Sequence, residues 1–484
     1  MKKILIILFL ILTLPCFVYA ANICVGASAT GSGNGSDWNN QAAWSGVSFV
    51  RGNTYYLADG SYGGKSLITA TSGSTWIYVK KAIESDHGTA TGWLSSYGDG
   101  QATFTAEISF GTSYWEFNGQ TRNENNWRET ASYGFRINVG IGEGTYCLYF
   151  DEGTYGNITV KYVDMGSPSG VWTNTTAIPI KMTTGTSRSN LYFGYLHIHN
   201  SGLPIHSRNN HYVTLEKSAI VNNAFSKEGI SHQVGDYWTI RWNYWIDNGR
   251  EPTGGGEPMT AYIACFDYSA PQDPDTTLSD YWEIYGNVFA QENYYDVVDA
   301  DGLIIAYYGH YWKVWNNSFV NLGSNDGSSS GPLGRLALTG TGISIRNNLW
   351  YWMRDYDGTY GVPIASWGGT TPYQSAGDYS WCYYKNTKPA QGGADCSTLP
   401  GSNVWTGSED PFLDHLNGDY RLKTSFSGTS PLAKGENLGG YPYNVDLLGN
   451  SRGAGSWDIG ALVSGTEVLP SQKRGVSISG GTVR

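Results

Sequence analysis

Three aspartates fall within nine residues in the stretch YYDVVDADG: Asp296, Asp299 and Asp301. Carboxylates grouped this closely suit two kinds of chemistry. Hydrolysis of a glycosidic bond uses two carboxyl groups, one as acid and one as base or nucleophile. Calcium takes several oxygen ligands, carboxylates prominent among them. Either use can draw on this trio together with Glu228, and Asp296 and Asp299 are the pair assigned to calcium. Asp301-Gly302 is also an ordinary turn dipeptide. His232 and His206 stand six and seven residues ahead of a recurring sequence frame, so they belong to neighbouring units. His232 beside Glu228 has the chemistry of a proton carrier, and exposed turn histidines are the plainer alternative. Further acids, Glu251, Glu257 and Asp326, lie in the longest stretches between repeats.

Something must bring these scattered residues together, and the sequence shows what. The phrases YWTIRWNYWIDN, YWEIYGNVFAQ and YWKVWNNSFVN repeat one pattern, starting at Tyr237, Tyr281 and Tyr311. With the tryptophan as position zero, apolar residues stand at zero, +2 and +7, and Asn at +5. Trp238, Ile240, Asn243 and Trp245 fit this frame. Trp282, Ile284, Asn287 and Phe289 follow, then Trp312, Val314, Asn317 and Phe319. Ile343, Ile345, Asn348 and Trp350 continue it, and three earlier units begin at Ile158, Leu191 and Val213. Successive starts lie 33, 22, 25, 44, 30 and 31 residues apart. Repeats of this length signal a solenoid, propeller or array.

Positions zero and +2 share one face of a strand. The step of three that follows marks a bend, after which +5 and +7 face inward again. Stacked at roughly 4.8 Å per coil, equal positions form ladders. The frame therefore predicts an inward Asn ladder, an inward tryptophan stack and an outward row at +3: Arg241, Tyr285, Trp315 and Arg346. Flat aromatics between guanidinium groups suit sugar rings and carboxylates, although +3 is also an ordinary exposed strand position. The +1 row predicts a cross-coil pair, Glu283 with Lys313. The stretches Asn248 to Thr260, Gln291 to Gly302 and Asn321 to Gly334 all follow the +7 strand, which predicts loops along one flank.

These repeats resemble those of secreted right-handed parallel β-helix proteins, the superfamily of pectate lyases and related polysaccharide lyases and hydrolases. SATGSGNGSDWNN (Ser28 to Asn40) and VRGNTYYLADGSY (Val50 to Tyr62) are similar to the N-terminal cap of such proteins. EDPFLDHLNGDYRLK (Glu409 to Lys423), SPLAKG and WDIGA resemble their C-terminal segment. The resemblance implies an all-β, single-stranded parallel β-helix solenoid spanning residues 21–463, with a cap to about 110 and an irregular C-terminal segment from about 400. It implies polysaccharide as the partner and cleavage of acidic glycan by elimination or hydrolysis. A non-catalytic, adhesin-like rod of the cell surface or extracellular matrix is the alternative. The paired Asp-Asp with a following Gly-His-Gly of polygalacturonase-like hydrolases is missing, and no lysine or arginine falls on a lyase base motif. No catalytic residue is carried over from the family.

Composition agrees with an all-β chain: 64 Gly, 36 Tyr and 19 Trp, with only 15% charged residues. Lys2-Lys3, an apolar run from Ile4 to Leu14 and Val18-Tyr19-Ala20 read as a secretory leader over residues 1–20. The expected location is extracellular or at the cell surface, without membrane insertion. Loss of the leader takes two lysines and moves the formal charge from −11 to −13. That balance argues against nucleic acid as a partner. Cys382 and Cys396 are the one plausible disulfide pair, and residues 464–484 read as a polar tail.

Overall fold

The computed structural model describes residues 20–139, 145–166, 177–183, 187–223, 228–248, 261–265, 279–292, 302–306, 309–322, 336–338, 341–351, 379–383, 399 and 403–465. These residues form a parallel β-helix. Each full coil contributes one short strand to each of three sheets, as in Trp238–Arg241 (sheet A), Tyr244–Ile246 (sheet B) and Ala261–Cys265 (sheet C). Among the described residues, sheets A and B have twelve strands each and sheet C has nine. Every neighbouring pair within them is parallel, with Trp238 beside Val213 and Ile240 beside Ile284.

The frame read from the sequence is the register of the first two sheets. Zero and +2 lie in sheet A, +7 in sheet B, and the bend between them carries the Asn ladder. The Asn243, Asn287, Asn317 and Asn348 side chains are wholly buried. Each of the first three donates its Nδ2–H to the Oδ1 of the next, at 3.0, 3.0 and 3.1 Å. Their backbone N–H groups donate to the same oxygens at 3.0 Å. Carbonyls of the preceding coil take the remaining Nδ2 hydrogen, so the bend leaves no amide unpaired away from water.

Aromatic rings fill the interior beside that ladder. Trp238, Trp282 and Trp312 stack at 4.8 Å per step. Trp245, Phe289, Phe319 and Trp350 stack at 5.8, 5.2 and 4.3 Å on the sheet B side. Each indole N–H of the first stack finds a backbone carbonyl, that of Asn210, Gly235 or Ser279.

Sheet C has no counterpart in the sequence reading. Strands such as Glu228–Gln233, Ala261–Cys265 and Gly302–Ala306 lie inside what the repeat frame treats as connections. Chain length varies on both sides of them, so they keep no fixed distance from position zero.

A second apolar layer lies outside the solenoid. Val404–Gly407 is the end strand of sheet B, and the residues after it, 408–465, run back over the outer face of that sheet. There Phe412, Tyr420, Leu422, Leu447 and Ile459 join a cluster with Tyr244, Ile246, Val288 and Leu349. The excursion at 119–134 reaches the same layer through Trp127. The two meet at the buried Glu292. Arg128 donates to both of its oxygens at 2.8 and 2.6 Å, and the Tyr420 hydroxyl donates at 3.0 Å. Cys382 is in a disulfide; Cys396 lies outside the described residues, as do residues 1–19 of the leader and 466–484 of the tail.

Candidate functional site

The acidic trio Asp296, Asp299 and Asp301 lies outside the described residues, as do Glu251, Glu257 and Asp326. What is described is where their stretches enter the fold. Gly302, directly after Asp301, pairs with Ala261, and Ala261 pairs with Glu228 at the start of their sheet C strands. Glu228 itself is buried, at 5% exposure.

The two histidines do lie on neighbouring coils, but on opposite faces. Ser207 pairs with His232, so His206 pairs with Ser231 one residue earlier. A one-residue offset turns a strand side chain from one face to the other. His232 points into the solenoid, fully buried against Trp238 and Trp282, with Nδ1 3.0 Å from the Ser207 hydroxyl. Burial holds its proton affinity down at about 3. It is a core residue, and the expected surface proton carrier beside Glu228 is not found there. His206 faces out.

The +3 row is also corrected. Glu216, Arg241, Tyr285, Trp315 and Arg346 do follow one another coil by coil. Yet Arg241 is occupied by Glu216 and by the Tyr285 hydroxyl, and Arg346 by Glu436. Tyr443 sets its ring edge-on to both Tyr285 and Trp315, at 5.0 and 5.1 Å, and Tyr285 is 1% exposed. The C-terminal segment roofs this row, with Tyr285 buried and Trp315 half-buried beside Tyr443.

A different aromatic row does reach solvent. Tyr212, Tyr237, Tyr281 and Tyr311, at the position before zero, stack at 4.6 to 4.9 Å with rings within 10° of parallel. Their faces are used against one another and only ring edges look outward. The repeated YW dipeptide carries the signal, but its tyrosine lies outside the frame of inward positions.

Sheet C presents the chemistry that the sequence reading missed. Tyr149 pairs with Lys181, Lys181 with His206, and His206 with Ser231, one outward row across four coils. Lys181 donates to the Tyr146 hydroxyl at 2.6 Å and lies over that ring at 4.3 Å. Tyr146 and Tyr149 stack at 5.4 Å. Arg208, two residues beyond His206 on the same strand, shares its outward face and is exposed. Neither Lys181 nor Arg208 has an acidic partner among the described residues. Elsewhere in this acidic chain most described cations are paired, as with Lys81–Asp59 and Arg128–Glu292. Burial, and then the Lys181 charge, push His206 down to about 4, so its imidazole is neutral near pH 7.

One described group has the composition of a metal site: Asp164, His197 and His199, whose ligand atoms lie within 4.8 Å of one another. It offers a single carboxylate and two imidazoles, which does not match the all-oxygen shell of calcium.

No protein-family model and no curated protein matches the chain. Among solved structures it is similar to pectate lyase Pel9A, at 13% identity and a TM-score of 0.46 over 93% of this chain and 98% of that one. A rhamnogalacturonan lyase matches at 12% identity and 0.39, over 81% and 91%. A PL6 family polysaccharide lyase from Pseudopedobacter saltans matches at 11% and 0.29, over 69% and 60%. At such identities and scores these neighbours bear on no individual residue here.

Proposed function

We propose that this is an exported protein that binds an anionic polysaccharide along the outer face of sheet C and cleaves it by β-elimination. One observation carries the reading: Lys181 and Arg208, two cations without acidic partners among the described residues, bracket a neutral histidine, His206, on one face. Elimination next to a uronate carboxylate needs that carboxylate neutralised and the adjacent C–H proton removed. The Lys181 and Arg208 side chains do the first, and the His206 imidazole takes the proton. The electron pair forms the new double bond, the glycosidic C–O bond breaks, and the leaving oxygen collects a proton. A carboxylate docking on Lys181 cancels the charge that lowers His206, so the base strengthens when substrate arrives. Asp296 and Asp299 remain the proposed calcium ligands, with Glu228 as a further carboxylate.

The test is a screen of uronate-containing and neutral glycans, with and without a calcium chelator, following the ultraviolet absorbance of unsaturated uronate ends. Replacing His206 by Ala should lower kcat by about 10² to 10⁴. Lys181→Met and Arg208→Met should raise KM for uronates. His206 works as a base only when neutral, so kcat/KM should fall as pH drops through about 4. The acid limb of kcat should lie at higher pH, because bound substrate raises the imidazole. Saturated products would mean hydrolysis, and returning full activity in His206→Ala would remove the base from this face. A wild type inert on every glycan would favour the structural rod.

A further inference from the structure

Asp164, His197 and His199 form the most compact group of metal-ligating side chains among the described residues, and the proposed elimination does not use them. They sit on the outer face of sheet B, where Asp164 pairs with His197 on the next coil. His197 and His199 are two apart on one strand and share that face. The Asp164 Oδ1 lies 2.7 Å from His197 Nδ1 and 3.2 Å from His199 Nε2. All three residues are at least nine-tenths buried, and Tyr133 lies flat over His197 at 5.9 Å. His199 Nε2 is buried and aimed at this oxygen, which is its polar contact.

We propose that these three side chains hold a divalent transition-metal ion of the zinc type. One carboxylate and two imidazoles are the donor set of such ions, whereas calcium asks for six to eight oxygens. Four-coordinate zinc with donors at about 2.0–2.2 Å sets those donors about 3.4 Å apart. From the observed 2.7 and 3.2 Å, both separations from Oδ1 must open, and the two imidazole nitrogens, which lie within 4.8 Å of each other, must draw together. The surroundings supply an outer shell. Arg136 Nε approaches the other carboxylate oxygen at 3.5 Å, leaving Oδ1 for the ion. Asn200 sits 3.1 Å from His199 Nδ1 and is held in turn by Asn222 at 2.8 Å. Turning both amides over lets His199 donate from Nδ1 and present the Nε2 lone pair; oxygen and nitrogen of an amide are told apart only by such networks. Two positive charges oppose a cation: Arg136 close by, and Arg128, whose field reaches His197. The ion would tie two sheet B strands together beneath the 119–134 excursion.

The experiment uses the full chain, without a polyhistidine tag and dialysed against chelator. Titration with zinc chloride by calorimetry should show one equivalent bound, and cobalt chloride should produce the visible bands of a four-coordinate ion. His199→Gln and His197→Gln should each weaken binding by tenfold or more, with far-ultraviolet circular dichroism confirming the fold. Arg136→Gln leaves every ligand in place and should tighten binding. An unmodified protein that shows no cobalt bands overturns the site, whatever the variants do. Zinc bound equally well by His199→Gln would place the ion elsewhere, and weaker binding in Arg136→Gln would count against it too.

Discussion

Two rows of side chains run along the same coils with the same register and meet opposite fates. The inner row, Asn243, Asn287, Asn317 and Asn348, takes its side-chain partners from within the repeat: each Asn answers the next. In the outer row, Arg241 is held by Glu216 and Tyr285 on the adjacent coils, but Tyr285, Trp315 and Arg346 are finished by residues from far along the chain, Tyr443 and Glu436. A repeat dictates its own interior, because an inward side chain meets its own coil and the coils next to it, as His232 meets Trp238 and Trp282. It does not dictate its exterior, which depends on whatever later segment lies down on it.

If that contrast is correct, the outer layer should be severable while the coils persist. Its joint is Glu292, buried between Arg128 and Tyr420. Replacing Glu292 by Gln leaves the half-buried Arg128 guanidinium without this counter-charge, and breaking a fully buried pair costs about 3–5 kcal/mol, the upper bound here. Urea unfolding should show that loss. Limited proteolysis should release the 408–465 segment before the solenoid. Simultaneous loss of both would mean that the two layers are one cooperative unit and the contrast is false.

The inner row should respond differently. Asn317→Leu removes the oxygen that receives the Asn287 N–H and Nδ2 hydrogens, and the amide that serves the Ile284 carbonyl. Leaving a buried polar group unpaired costs about 1–3 kcal/mol. Here the loss should appear as a lower midpoint for the whole solenoid, without earlier release of the C-terminal segment.

The same contrast explains what the sequence disclosed. Sheets A and B were legible because zero, +2, +5 and +7 recur at fixed spacing and their partners are copies of themselves. Sheet C was not, since its strands float between connections of unequal length. The functional reading inherited that gap. His232 and His206 read alike, yet a single residue of register sends one among the tryptophans and the other outward beside Lys181. Lys181 and Arg208 carry no motif. Their interest lies in having no acidic partner among the described residues, which is a property of three-dimensional neighbours. Tyr285 and Trp315 showed the converse, an outward position read correctly whose covering lay more than a hundred residues away.

The smallest effect belongs to the one outer contact that the repeat frame did anticipate. Glu283 and Lys313 pair across adjacent coils, with Nζ 2.6 Å from Oε1. Tyr443 joins them, its hydroxyl 2.9 and 3.0 Å from the two carboxylate oxygens. Both side chains keep about a quarter to a third of their surface in water, at 26% and 36%. Solvent screening at that exposure holds such pairs to about 0–1 kcal/mol. A double-mutant cycle with Glu283→Gln and Lys313→Met, read by urea unfolding, should return a coupling in that range that shrinks with added salt. Repeating the cycle in a Tyr443→Phe background separates the repeat's share from the clasp's. Coupling that survives there belongs to the coil register alone; coupling that vanishes shows that even this pair is fixed by the covering segment. A value above about 2 kcal/mol would make the outer row as determinate as the Asn ladder, and the distinction between the two rows would not stand.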